Sequence, residues 1–290
     1  MTSINTNAGA LSARNAALSA TAKMETAMGR LSSGLRINTA ADDAAGLSVA
    51  SKMTGQLGGI KMGIRNAQDG IGLIQTAEAG VQEIRNMVLR IRELAVQMAN
   101  GIYEDSPDRA NAQLEVEALQ EQVNLIAGYT RFNDVSLLNG SFSAVDIQAG
   151  NTTSETIALT ITTMTTTGLG FNSVSVSTQS NAQAAITTMD TALTDIATEQ
   201  ATLGSYTNRL NYSVANLSRS SVMTEQALGR IMDADFASET TQLSKSQILN
   251  QNQQKKGNLE YTKGAFVTIS KLIVTFVSLN NFIFLFRSFI

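Results

Sequence analysis

Two adjacent carboxylates, Asp42 and Asp43, stand in the stretch RINTAADDAAGLSVASKM (Arg36–Met53). Paired carboxylates can serve as general acid and base, or hold a hard cation. Either use needs further convergent groups, and the chain contains neither histidine nor cysteine. Imidazole bases, thiol nucleophiles and metal sites built on N or S ligands are therefore excluded. The residues that follow, Ala44-Ala45-Gly46-Leu47, read as a helix start. Carboxylates at that place accept from free N–H groups and suit the positive end of the helix dipole. Helix capping is the reading for Asp42 and Asp43, and no catalytic residue, cofactor or metal is expected. Gly55, Gly58, Gly59 and Gly63 lack a preceding strand, so they do not make a phosphate-binding loop.

The surrounding elements are long helices. Ile74, Val81, Val88 and Ala95 repeat at seven, as do Ala77, Ile84, Ile91 and Met98, which gives a seam over four heptads. Asn100-Gly101 is expected to end that helix in the left-handed conformation. Ser106 and Pro107 suit the start of the next, whose seam is Ala112, Val116, Leu119, Val123 and Ile126. A third seam joins Ile186, Leu193, Thr207, Val214 and Leu228 to Met189, Ile196, Leu203, Leu210, Leu217 and Ile231. A helix of that length would run about 70 Å, a rod that one globule does not need. Thin seams of Ala, Ser and Thr, repeated between subunits, favour a polymer. Ile4, Leu11 and Leu18 also repeat at seven, which predicts an N-terminal amphipathic helix that orders when its apolar face is covered.

Half of the residues from 151 to 180 are Ser or Thr. Alternation at Ile157, Leu159 and Ile161, and again at Val174 and Val176, predicts short strands divided by turns at Gly168 and Gly170. The fold class is therefore mainly α: a long antiparallel coiled-coil-like helical bundle with a small β region at its tip. The chain has no Trp, a single proline and 5% aromatics, which suits thin helical seams better than a thick core. A net charge of −3 offers no basic field, so nucleic acid is not an expected partner. The N-terminus has no basic start followed by an apolar block, so no secretory signal peptide is expected.

LSSGLRINTAADDAAGLSVASKM (Leu31–Met53) closely resembles the N-terminal signature of bacterial flagellin, the subunit of the flagellar filament. IQTAEAGVQEI (Ile74–Ile84), RELAVQMANG (Arg92–Gly101) and TRFNDVSLLNG (Thr130–Gly140) follow in that family's order. LGSYTNRL (Leu203–Leu210) and ADFASETTQLSKSQIL (Ala234–Leu249) resemble its return segment. The resemblance implies a homopolymeric extracellular filament used for motility, exported through the flagellar type III apparatus without a cleaved signal. It also implies an export chaperone and a filament cap as partners. The implied organisation is a core segment over 1–40, a helical rod over 41–140 and 181–235, a variable region over 141–180, and a C-terminal core segment over 236–290. Self-assembly and packing are expected to rest on Ile4, Leu11, Leu18, Ile74, Val81, Ile84, Val88, Ile91, Leu203, Leu210, Val214 and Leu217. LRIRELAV (Leu89–Val96) is similar to the segment of the family that the vertebrate innate-immune receptor binds. By that resemblance Arg90, Leu94 and Glu115 are receptor-contact candidates, expected on one exposed face. Other readings that share the helices are a hook–filament junction protein and a membrane-anchored coiled-coil surface protein.

After Gln251 the resemblance stops. Seven of the fifteen aromatic residues fall in the last 39 positions. The charge-free run Leu272–Phe286 has 15 residues, short of the ~20 that span a bilayer, so a membrane anchor is not expected. Ile269, Phe276, Ile283 and Ile290 repeat at seven, as do Leu272, Leu279 and Phe286, so the tail keeps the spacing of a terminal helix that would cover the N-terminal one. Val274, Val277, Phe282 and Phe284 make it apolar nearly all round, however, and side chains such as Phe276 and Phe286 are expected to overpack that seam and hinder regular polymerisation.

Overall fold

A computed structural model describes residues 8–287 of the chain. Five long helices carry it: α1 (Ala8–Ser33), α2 (Ala44–Met98), α3 (Ala110–Tyr129), α4 (Gln179–Met232) and α5 (Phe236–Arg287). Two hairpins lie between α3 and α4. In the first, β1 (Arg131–Phe132) pairs antiparallel with β2 (Val135–Ser136); in the second, β3 (Val145–Gln148) pairs antiparallel with β4 (Thr156–Leu159). The β1–β2 turn is Asn133-Asp134, both at positive φ, the geometry that matches the twist of a tight hairpin. The chain divides into two compact units, Met1–Lys52 with Ala227–Ile290, and Met53–Gln226, so that α2 and α4 each contribute to both.

In the first unit α1 and α5 run antiparallel, because Arg30 meets Glu239 while Thr21 meets Asn250. Their contact is built from Ala13, Ala20 and Ala27, all buried and seven apart, with Ser246 buried opposite on α5. Alanine lets the two backbones approach closely, at the expense of apolar area. Gly34, at φ +72, ends α1 in the left-handed conformation, and its N–H donates to Arg30 O at 2.8 Å. A short antiparallel bridge joins Leu35 to Asp233, and Arg36 donates to the carbonyls of Ile231 and Met232.

In the second unit α2 runs antiparallel to α4, with Arg92 on Asp190, Gln82 on Gln200 and Lys61 on Glu225. It also runs antiparallel to α3, with Arg90 on Glu115. Ile74, Ala77, Val81, Ile84, Val88, Ile91, Ala95 and Met98 are all buried in one core with Val116, Val123, Met189, Ile196, Leu203 and Leu210. Val214 is half-buried against it, and Leu217 is also half-buried. The β3–β4 hairpin lies along α2: a Cβ on Gly63 would meet the backbone of Ala149 and Gly150 at 3.2–3.3 Å, so a larger residue there would push the two backbones apart by a few tenths of an ångström.

Several local expectations need correction. Neither Asn100 nor Gly101 adopts positive φ. The carbonyls at the end of α2 and just beyond it are instead met by side chains: Arg109 donates to Met98 O and Asn100 O at 2.9 Å each, and Gln179 donates to Ala99 O. Ser106 does not cap a helix: it has extended dihedrals within a short π-helical turn over Asp105–Arg109, and α3 begins at Ala110. Val174 and Val176 form no strand. Their segment is laid on α3, whose amides take its backbone groups. Gln120 donates to Phe171 O and Val174 O, while Gln113 Oε1 accepts from Val176 N and Asn124 Oδ1 from Thr166 N. Ile161, Met164, Leu169, Phe171 and Val176 are buried there, so the Ser/Thr-rich stretch carries core residues.

Candidate assembly surfaces

The two aspartates have different duties. Asp43 precedes α2, and its Oδ1 accepts from Gly46 N at 2.8 Å, the N-cap bond that satisfies an otherwise free donor. Asp42 does not cap the helix. Its Oδ2 accepts from Thr39 N, Asn38 N and Thr39 Oγ1 at 2.9–3.1 Å, which closes the loop before the helix. These bonds, those from Thr39 first, hold the Asp42 carboxyl below its usual pKa. Among the described residues no group of three or more acidic side chains could hold a metal ion. Asp235 is a cap that sequence reasoning missed, with Oδ1 accepting from Ala237 N and Ser238 N at the start of α5. An aspartate directly before Phe236 and its helix was the available signal.

Arg90 and Glu115 meet on the exposed side of α2 and α3, with Nε and a terminal nitrogen of Arg90 each 2.8 Å from Glu115 Oε1. Hydrogen bonding and Coulomb attraction from Glu115 raise the Arg90 pKa and so favour its charged form. Leu94 does not join that face. It is 4% exposed and belongs to the core with Ile91 and Ala95. Its position one helical turn after Ile91 turns it inward.

The first helix also differs from the sequence reading. Leu11 and Leu18 are 49% and 60% exposed, and Ile4 lies outside the described residues. The leucines sit two positions before the buried alanines, roughly 200° around the helix, so α5 covers the other face. The tail leaves them bare: Ile269 and Leu272 are exposed, and the expectations for the side chains of Phe276, Leu279, Ile283, Phe286 and Ile290 lie outside what is described. An uncovered apolar stripe on α1 is the feature an assembly partner would use.

Comparison with known proteins gives this arrangement its relatives. The family model of the bacterial flagellin N-terminal helical region matches residues 4–143, and that of the C-terminal helical region matches 186–255. A flagellar filament core protein of Brachyspira hyodysenteriae is 37% identical over 263 residues, covering 86% of this chain and 92% of its own length. A flagellin of Halalkalibacterium halodurans is 38% identical over 230 residues, covering 79% of this chain and 84% of its own. A solved structure described provisionally as a flagellar hook-associated protein of Vibrio parahaemolyticus shares the fold, with a TM-score of 0.54 at 13% identity over 66% of this chain and all of that one.

Proposed function

The chain belongs to the bacterial flagellin family, and on that premise we propose how its parts serve a filament. It is a structural subunit of the flagellar filament, outside the cell, and its relatives are structural proteins. A hook–filament junction role is not favoured, because the matches that run through most of the chain are to filament proteins, while the hook-associated likeness is one of fold.

One observation carries the assembly reading. The α1–α5 pair is held by alanines on one side, and Leu11 and Leu18 are left bare on the other. A helix pair with so little apolar area between its members gains its cover from neighbouring copies. Residues 1–40 and 236–290 would then form the filament core, 41–140 and 181–235 the surrounding rod, and 141–180 the outward region. Family membership supports export through the flagellar type III apparatus without a cleaved signal, guided by an export chaperone and assembled under a filament cap. A vertebrate flagellin receptor would read Arg90 and Glu115 directly, with Leu94 acting from inside the helix pair.

The test is polymerisation of Leu11→Asp/Leu18→Asp protein, measured by sedimentation and electron microscopy. The variant should keep its helix content and form no filaments. Filaments at the parental yield would refute the use of this stripe.

A further inference from the structure

Two asparagines of the chain are followed by glycine, Asn100 by Gly101 and Asn139 by Gly140. Glycine has no Cβ, so the nitrogen after each asparagine is unshielded from that residue's own side-chain carbonyl carbon. At Asn139 the fold brings the two together. Asn139 and Gly140 are exposed, directly after Leu137 and Leu138, which are fully buried. Those leucines tie the turn down: Leu137 N donates to Thr130 O at 3.0 Å, and Met164 N donates to Leu138 O at 2.8 Å. Asn139 Oδ1 accepts from Ser141 N at 3.0 Å and from Ser141 Oγ at 2.6 Å. An oxygen bonded to the N–H two residues on folds the side chain back over the peptide between them, which holds Cγ against the Gly140 nitrogen.

The two donors of Ser141 also polarise the Cγ carbonyl and are aimed where negative charge on Oδ1 would develop. Asn139 Nδ2 and Gly140 N donate to no described residue, so the leaving group and the attacking nitrogen are both free. Gly140 stands at φ +89, a conformation that favours glycine. Asn100 is set differently. Its Oδ1 accepts from Ile102 N alone, at 3.3 Å, and its backbone carbonyl is held by Tyr103 N and Arg109, which fixes the peptide that would have to turn.

We propose that Asn139 is a self-modifying site, at which the chain converts its own amide to an acid with Ser141 as the activating group. Solvent hydroxide takes the Gly140 amide proton, and the nitrogen attacks Asn139 Cγ to close a five-membered imide. The Cγ–Nδ2 bond breaks, and ammonia leaves with a proton from water. Water then opens the imide at either carbonyl, giving aspartate or isoaspartate. The net change is one water consumed and one ammonia released, and the net charge goes from −3 to −4, one more negative. The aspartate product keeps both Ser141 bonds, because the structure uses only Oδ1 of this side chain.

The test is incubation of the full chain in mildly alkaline buffer, with peptide mass spectrometry at both asparagines and isoelectric focusing against an Asn139→Asp standard. Conversion is expected at Asn139 ahead of Asn100, and faster as pH rises. Ser141→Ala should slow it by about fivefold or more, whereas Ser141→Thr, which keeps the hydroxyl, should retain the parental rate. Circular dichroism and urea midpoints check that both variants keep the fold. Three results would overturn the proposal: Asn139 unchanged while Asn100 converts, conversion in Ser141→Ala as fast as in the parent or faster, or a Ser141→Thr rate as low as that of Ser141→Ala.

Discussion

Replacing Arg109 by alanine should be among the most damaging single changes in the second unit. The side chain is 4% exposed, and it donates to Met98 O and Asn100 O at 2.9 Å and to Asp105 Oδ1 at 2.7 Å. The first bond meets the carbonyl of Met98, the last residue of α2, and the second that of Asn100 in the turn just beyond, which also accepts from Tyr103 N. A hydrogen bond to a charged donor contributes ~1.5–3 kcal/mol, so the two together are worth about 3–5 kcal/mol once some relaxation is allowed. The Asp105 carboxylate is 65% exposed, so its ion pair adds at most about 1 kcal/mol. For a unit of this size the loss corresponds to a melting temperature lower by roughly 10 °C. Urea unfolding followed by circular dichroism would measure it, and hydrogen exchange at the last turn of α2 would place it. Arg109→Lys keeps the charge without the planar fork and should recover less than half of the loss. Asp105→Asn should change little. A loss below about 1 kcal/mol in Arg109→Ala would refute the idea that these carbonyls depend on the buried guanidinium.

Leu94→Ala should destabilise the second unit by ~2–5 kcal/mol, because it removes a buried core side chain, whereas Arg90→Ala should leave stability nearly unchanged; equal urea midpoints for the two would contradict the burial of Leu94. Ala20→Leu should force α1 and α5 apart at a cost of ~1–3 kcal/mol, read as lost helix signal and faster proteolysis of α1, and an unaltered digestion pattern would argue against the alanine seam. The Asp42 carboxyl has a lowered folded pKa, so its contribution to stability is complete above its usual value of 3.8 and fades as pH falls through the folded value. Asp42→Asn should remove that acid-side dependence, and an unchanged stability–pH curve below pH ~4 would count against the loop-closing role.

The second unit's helical seams were legible in the sequence. Ile74, Val81, Ile84, Val88 and Ile91 are readable at seven-residue spacing because 3.6 residues per turn put them on one face whatever that face meets. Asp43 was equally legible, since an N-cap involves only its own helix and bonds three residues on. The bare leucines of α1 were not. Leu11, Leu18 and Ala13, Ala20, Ala27 form two stripes of equal period, and only the position of α5 decides that alanine is the one covered. Leu94 has the same character, readable as part of an exposed recognition strip until the core formed by the helices around it takes it inside. Arg109, and the amides of Gln113, Gln120 and Asn124 that replace a partner strand for the Thr166–Val176 stretch, carry no periodic signal at all. Periodicity reports the geometry of one helix, while a buried donor is placed by backbone groups that another segment brings to it. Their roles exist only once the chain has closed on itself.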